Sequence, residues 1–287
     1  MKGIILAGGT GSRLAPLTNL FSKQLLPVYD KPLIYYPLAT LMAAQINDIL
    51  IISTPRDESL FKELFKNISQ LNMQISFATQ MRPGGIGQSF TIGEKFIGNE
   101  EVALILGDNI FHGTGLGREL ANFNSVSGAQ IFGYRVSDPE NYGVANFDSQ
   151  NRLISIEEKP ISPKSNIAIP GLYFYDNEVV DIAKNTEPSS RGEVEITAIN
   201  NQYLNLNKIN LRILPRGTTW LDTGTFNGLH DASTFVRVIQ ERQGTQIACI
   251  EEISWRNNWI DDEDLNRISQ NHQSISVRKY LTNLLVE

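Results

Sequence analysis

Three glycines, Gly8, Gly9 and Gly11, crowd into one short segment that runs straight into Ser12 and Arg13. Lacking a β-carbon, such residues let the backbone turn sharply and bring its N–H groups close to a phosphate. Arg13 adds a permanent, forked cation at the mouth of the turn. The chemistry suggested is polyphosphate binding, although a glycine-rich turn also serves many chains simply as a strand-to-helix corner. Spacing excludes two familiar versions. Counted from Gly9, the third glycine of a dinucleotide fingerprint falls on Leu14, and no Gly-Lys pair for a Walker loop occurs.

Two aspartates could hold a divalent cation beside such a phosphate. Asp108 follows the apolar run Leu104-Ile105-Leu106 and Gly107, and Asp222 stands in Trp220-Leu221-Asp222-Thr223-Gly224. A carboxylate at the end of an apolar run is costly unless it meets a cation or hydrogen-bond donors. Mg2+ needs few protein carboxylates once phosphate oxygens and water complete its shell. Either aspartate alone could equally cap a turn or helix; as a pair with the glycine turn they favour the metal. Cations stand in similar polar contexts: Lys23, Lys159 and Arg191. One such side chain is ordinarily solvated. Several together suit a nucleoside triphosphate and a sugar phosphate, where they would stabilise charge as a bond to phosphorus breaks.

These residues need strand ends and turns to hold them. Apolar runs rich in branched residues at 3–7, 49–53, 75–78, 102–106 and 131–134 read as buried parallel strands. Amphipathic stretches near 33–44, 58–65, 87–96 and 116–123 alternate with them as helices. That rhythm predicts an α/β fold with a doubly wound, mostly parallel, Rossmann-like sheet and ligands at the carboxyl ends of its strands. The glycine turn and Asp108 both follow such ends. Shorter strands are expected at 143–147, 153–157, 171–175 and 210–214, with helices near 178–184 and 193–206. Beyond Thr225 the chain reads as mainly helical, and no hexapeptide repeat of a trailing β-helix occurs.

The 287 residues carry a formal charge of −6 with 20% charged residues, which gives no electrostatic footprint for nucleic acid or an acidic membrane surface. His112, His230 and His272 are the only histidines and Cys249 the only cysteine, so an internal disulfide and a thiolate metal cluster are excluded. The apolar run 4–7 is too short for a signal peptide and no stretch approaches a membrane span, so a cytoplasmic protein is expected.

The motifs occur in a set order: the glycine turn, Ser22-Lys23-Gln24-Leu25-Leu26-Pro27, Leu106-Gly107-Asp108-Asn109, Glu157-Glu158-Lys159-Pro160 and Trp220-Leu221-Asp222-Thr223-Gly224. With Asp30-Lys31-Pro32, Ile34-Tyr35-Tyr36-Pro37 and Tyr142-Gly143-Val144 they make the chain resemble the glucose-1-phosphate thymidylyltransferases over essentially all 287 residues. The resemblance implies a Mg2+-dependent reaction of dTTP with α-D-glucose 1-phosphate. The sugar phosphate would attack the α-phosphorus in line, giving dTDP-glucose and pyrophosphate. That nucleophile is already ionised, so no side-chain base is required.

The resemblance also implies roles. Gly8, Gly9, Gly11, Ser12 and Arg13 would cradle the triphosphate, and Gln24, Gln80 and Gly85 would meet thymine. Gly143, Glu158, Lys159, Ile169, Tyr173 and Arg191 would meet the hexose phosphate, with Tyr142 beside them. The expected catalytic set is Arg13, Lys23 and Lys159 as charge stabilisers with Asp108 and Asp222 as metal ligands. One nucleotidyltransferase domain, 1–287, is expected: 1–142 mainly for nucleotide, 143–224 mainly for sugar phosphate, and 225–287 as a helical oligomer and candidate regulatory region. The resemblance further implies a homotetramer, dTDP-rhamnose as feedback inhibitor, and a product used for dTDP-rhamnose and cell-surface polysaccharide. Alternatives are the same chemistry with UTP, CTP or another hexose 1-phosphate, and a non-catalytic nucleotide-sugar sensor. The chain departs from the family's usual pattern at Ala15, at Gly84 (usually Asp), at Pro170 (usually Thr) and at His112 (usually Tyr). Pro170 bears on hexose selectivity, and His112, with Glu252 and Arg256, on regulation.

Overall fold

The computed structural model describes residues 1–9 and 11–286. Strand β1 (Lys2–Ala7) leads through the glycine turn and two short strands, β2 (Pro27–Val28) and β3 (Lys31–Pro32), into helix α1 (Tyr35–Ala43). Then come β4 (Asp48–Ser53), α2 (Glu58–Leu64), β5 (Gln74–Thr79), the short helices α3 (Gln88–Ile92) and α4 (Glu94–Ile97), and β6 (Val102–Leu106). Neighbouring residues such as Ile4 and Ile5 point to opposite faces of β1, yet both are fully buried. Burial on both faces is what a run of branched apolar residues achieves between two helical layers. β6, β1, β4 and β5 lie side by side in parallel, as the sequence rhythm predicts.

The second half extends this sheet with antiparallel pairs. β7 (Asn109–His112), α5 (Leu116–Ala121), β8 (Ala129–Arg135), β9 (Gly143–Phe147), β10 (Leu153–Glu158), β11 (Ile167–Ala168) and β12 (Leu172–Tyr175) follow in order. Next are α6 (Glu178–Asn185), α7 (Ile196–Asn205), β13 (Ile209–Ile213) and β14 (Thr219–Asp222). Among the described residues the main sheet has ten strands in the order β10-β9-β11-β8-β12-β6-β1-β4-β5, with β13 alongside β8. Pairing with β8 lapses between Ala168 and Tyr173, over residues 169–172. Pro170 lacks the N–H a ladder needs, so the strand opens there.

Two expected elements differ for local reasons. The helix near 87–96 divides at Gly93, where a β-carbon would meet Ile4 and Leu50 side chains at 3.0 and 3.3 Å; the glycine lets this segment lie close on the sheet. The helix expected from 193 begins only at Ile196, because Val194 is held in extended pairing, its N–H to Gly84 O (2.8 Å) and its carbonyl from Gly87 N (2.9 Å).

The helices α8 (Phe226–Gln243), α9 (Ile250–Arg256), α10 (Asp262–Asn271) and α11 (Ile275–Leu284) make up the C-terminal part. They dock on the α1 side of the sheet: Ile250, Leu265 and Leu281 share one core with Leu38, Leu41 and Ile51. Ser254 donates to Leu71 O at 2.7 Å and Asn257 to Met42 O at 2.7 Å, so the buried end of α9 is satisfied by the body it covers. Among the described residues no helix is long and apolar enough to cross a membrane.

Candidate active site

The glycine turn is a main-chain structure. Gly9 and Gly11 take φ values of 96° and 59°, in the region that side chains disfavour. Thr18 packs on Gly11 and donates its hydroxyl to Gly11 O at 2.8 Å, which fixes the turn from behind. A single helical turn over Ser12–Leu14 then buries Leu14 and leaves Ser12 and Arg13 exposed at the front. Arg13 and Lys23 line a cleft of about 230 Å3 whose opposite wall is Asp108 and Asp222.

The two aspartates meet because a small antiparallel ladder forces them together. β7 and β14 pair with Asn109 opposite Asp222, and the chain at Thr223 closes the junction by donating both its N–H (3.2 Å) and its hydroxyl (2.8 Å) to Asp108 O. Lys23 forms an ion pair with Asp108 Oδ2, and Asn109 Nδ2 donates to Oδ1 at 2.9 Å. Burial opposes ionisation of Asp108, yet the Lys23 ammonium holds its carboxyl below the ordinary value. Asp222 differs: burial and the nearby Asp108 charge push it up, against the pull of Lys23, the Gly224 N–H and Arg13. Two carboxylates facing one another in a half-closed cleft are the donor set that a hard divalent cation relieves. No group of three His, Cys, Asp or Glu suited to a metal occurs among the described residues, so a cation here would draw its other ligands from substrate and water.

Asp108 and Asp222 also line a second cavity, of about 170 Å3, on the far side. Its walls are Tyr142 and Gly143, Glu158 and Lys159, and Ile169, Gly171 and Tyr173. Thr197, from α7, donates to Glu158 Oε2 at 2.8 Å. Lys159 sits at φ 45°, an uncommon conformation for a side-chain-bearing residue, secured by its N–H on Tyr142 O at 3.0 Å. Its ammonium is 3.9 Å from Glu158 Oε1 and 43% of the side chain is exposed, so it is free to turn toward an anion. Burial, with Asp138 and Asp222 nearby, pushes the Tyr142 hydroxyl up to about 12, which keeps it a neutral donor. The opening at 169–172 places the Ile169 and Gly171 backbone at this wall; Ile169 N donates to Gly143 O at 2.8 Å.

The residues expected to meet a base lie behind the turn. Gln80 is 7% exposed and its Oε1 lies 2.7 Å from where a β-carbon on Gly8 would stand. Gln24 is 2% exposed, packs against Gly107, and its buried Oε1 has no partner among the described residues. A buried amide oxygen left open beside a cleft is costly unless something else supplies a donor. Gly85, at φ 89°, is pressed so closely on Val194 that a β-carbon would lie 2.5 Å from Val194 O.

Arg191 lies near enough to Glu158 to feel its charge but is paired with other carboxylates. Its guanidinium is bound to Glu195 at 2.8 Å and to Glu193 at 3.4 Å, and it lines neither cavity. Sequence reasoning missed four contributors. Asn109 Oδ1 accepts from Trp220 Nε1 (2.6 Å) and Gly171 N (3.1 Å), tying both aspartate-bearing strands to the sugar-side wall. Trp220 in turn stacks edge-on with Tyr142 at 5.0 Å. Both lie within motifs read for their aspartates; a polar or indole neighbour at a strand end was the available signal. Thr197, and Gln88, whose Oε1 accepts from Gln80 Nε2 at 2.8 Å, carried none.

Comparison with known proteins shows the family. The nucleotidyl transferase family model matches residues 2–238. Glucose-1-phosphate thymidylyltransferases from Mycobacterium tuberculosis and Mycolicibacterium smegmatis are 52% and 53% identical over 285 residues, covering 99% of this chain and 99% of each relative. A Bacillus anthracis structure assigned to the same enzymes, in complex with a sucrose, superposes with a TM-score of 0.76 at 39% identity, covering 83% of this chain and 95% of that one. A UDP-glucose pyrophosphorylase complexed with UDP-glucose follows at a TM-score of 0.72 and 25% identity, covering 83% and 98%. The chain therefore belongs to the nucleotidyl transferase family and, within it, to the glucose-1-phosphate thymidylyltransferases.

Proposed function

We propose that this enzyme joins dTTP and glucose 1-phosphate into dTDP-glucose and releases pyrophosphate. The observation that carries the reading is the shared wall: Asp108 and Asp222 line both the cleft of the glycine turn and the cavity of Glu158 and Lys159. A triphosphate seated on one side and a sugar phosphate on the other would meet at those carboxylates.

The chain's own groups then have distinct work. Main-chain N–H groups of the turn bind the triphosphate, and Arg13 and Lys23 offset negative charge that builds at the α-phosphorus. Lys159 holds the incoming sugar phosphate in line, and Glu158 with the Gly143 backbone orients the hexose. No histidine or cysteine lines either cavity among the described residues, which suits a nucleophile that is ionised before it binds. Asp108 and Asp222 would hold Mg2+, whose bound charge would neutralise phosphate oxygens.

Domain roles follow the same division: 1–142 mainly for nucleotide, 143–224 mainly for sugar phosphate, and 225–287 for assembly and regulation. A cytoplasmic homotetramer feeding dTDP-rhamnose and cell-surface polysaccharide completes the reading, with dTDP-rhamnose as effector near His112, Glu252 and Arg256. Sedimentation and inhibition by dTDP-rhamnose test those two points. The central test is pyrophosphate release from dTTP, UTP and dCTP, each with glucose 1-phosphate and with other hexose 1-phosphates, before and after chelation of Mg2+. Preference for dTTP and glucose 1-phosphate, lost with EDTA and restored by Mg2+, is expected; equal use of all nucleotides would sink the thymidylyl assignment.

A further inference from the structure

We propose that Gln88 is a positioning residue that locks the base-reading amide of Gln80, and that Gly84 is the space which lets it do so. The proposal rests on the thymidylyl reading above and concerns how thymine is told from cytosine. An amide that is free to rotate offers either its oxygen or its nitrogen. It therefore meets the N3–H of thymine and the bare N3 of cytosine about equally well. An amide held in one orientation reads only one of them.

Gln80 is held. Its Nε2 donates to Gln88 Oε1 at 2.8 Å and to Gly85 O at 3.3 Å. A main-chain carbonyl only accepts, so the atom facing Gly85 is the nitrogen, and Oε1 is turned toward Gly8 of the glycine turn. Presented this way, Gln80 accepts from a thymine N3–H and sets oxygen against the lone pair of cytosine N3. Gly85 O alone is a long contact; the shorter bond to Gln88 makes rotation costly.

Gly84 supplies the room. A β-carbon there would lie 2.4 Å from Gln88 Oε1 and 2.6 Å from its Cδ, so the Gln88 amide crowds the place of the missing side chain. The backbone at Gly84 is not left-handed, and the atoms in the way are the far end of a flexible side chain. A substitution at 84 is therefore compatible with the fold and displaces Gln88 instead. The loop itself stays anchored by Val194 N to Gly84 O (2.8 Å) and Gly87 N to Val194 O (2.9 Å), neither of which involves the Gln88 side chain.

The experiment measures kcat/KM for dTTP and dCTP at saturating glucose 1-phosphate, with thermal midpoints, for the wild type, Gln88→Met, Gln88→Glu and Gly84→Ala. Gln88→Met keeps length and loses the acceptor; Gln88→Glu keeps an acceptor. The dTTP:dCTP ratio is expected to fall about tenfold in Gln88→Met, as one lost hydrogen bond predicts. The change falls on KM for dTTP rather than kcat, Gly84→Ala moves the same way, and Gln88→Glu retains the wild-type ratio. A wild type that prefers dTTP and a Gln88→Met variant with the same ratio would overturn the role of Gln88 and leave the thymidylyl reading standing. A wild type indifferent to the base overturns both. Should Gln88→Met melt early, Gly84→Ala decides: an unchanged ratio there rejects the proposal.

Discussion

The two halves of the cleft are built by different means. On the proposed nucleotide side the turn itself is main chain, shaped by Gly9 and Gly11 at positive φ and buttressed by Thr18, with Arg13 and Lys23 beside it. On the proposed sugar side the wall is built largely from side chains brought from β10, β12 and α7, as with Glu158, Tyr173 and Thr197. A backbone cradle tolerates side-chain changes and resists conformational ones, whereas a side-chain pocket does the reverse. Among the described residues only Asp108 and Asp222 line both cavities.

That shared wall predicts the largest effect. Asp108→Asn removes the charge that pairs Lys23, whose side chain is only 19% exposed, and half of the candidate metal site. Turnover should fall on the order of a thousandfold, as loss of a preorganised charge at the reacting centre does. A steady-state assay that found near-normal turnover would break the comparison at its root, because the halves would then work without a common wall.

One step smaller is Arg13→Ala, which tests the nucleotide side alone. Arg13 is exposed at the front of the turn and supports no core residue, so the melting temperature should hold. kcat should drop about a hundredfold while KM for glucose 1-phosphate stays put. A shift confined to the sugar KM would mean that Arg13 serves the other half. Its counterpart is Thr197→Val, which removes the donor to Glu158 Oε2. KM for glucose 1-phosphate should rise about tenfold, with KM for dTTP unmoved.

The same contrast explains what could be read from sequence. The turn of the proposed nucleotide side lies in one contiguous segment, so Gly8 to Arg13 announce it without help from the fold. β1, β4 and β6 were legible for a related reason, since strands buried on both faces must be apolar throughout. The β7–β14 ladder was not: nothing near Asn109 says that Asp222 will pair opposite it, and the Trp220 bond to Asn109 spans 111 residues. Thr197 looks like any helix residue until Glu158 is placed beside it. Arg191, a cation expected at the sugar phosphate, pairs with Glu195 ahead of the helix, a partner that its own motif did not announce.

The finest test makes the same substitution in both halves. Gly11→Ala forces a side chain into φ 59° and drives its β-carbon to 2.8 Å from Thr18 Cγ2. It should cost about 1 kcal/mol or more of stability, the usual penalty where native φ is positive. Gly143 in β9 has no such conformation. Its β-carbon would stand 3.3 Å from Glu158 Oε2 and 3.5 Å from Thr197 Oγ1, tight to ordinary contacts that a small shift relieves. Gly143→Ala should therefore melt within about 0.5 kcal/mol of wild type. It should instead raise KM for glucose 1-phosphate a few-fold, because the methyl group projects between the two side chains that face the hexose. Thermal melts and the two KM values separate the outcomes. If Gly143→Ala destabilised the fold more than Gly11→Ala did, the nucleotide side would have no special dependence on backbone shape, and the division between the halves would fall.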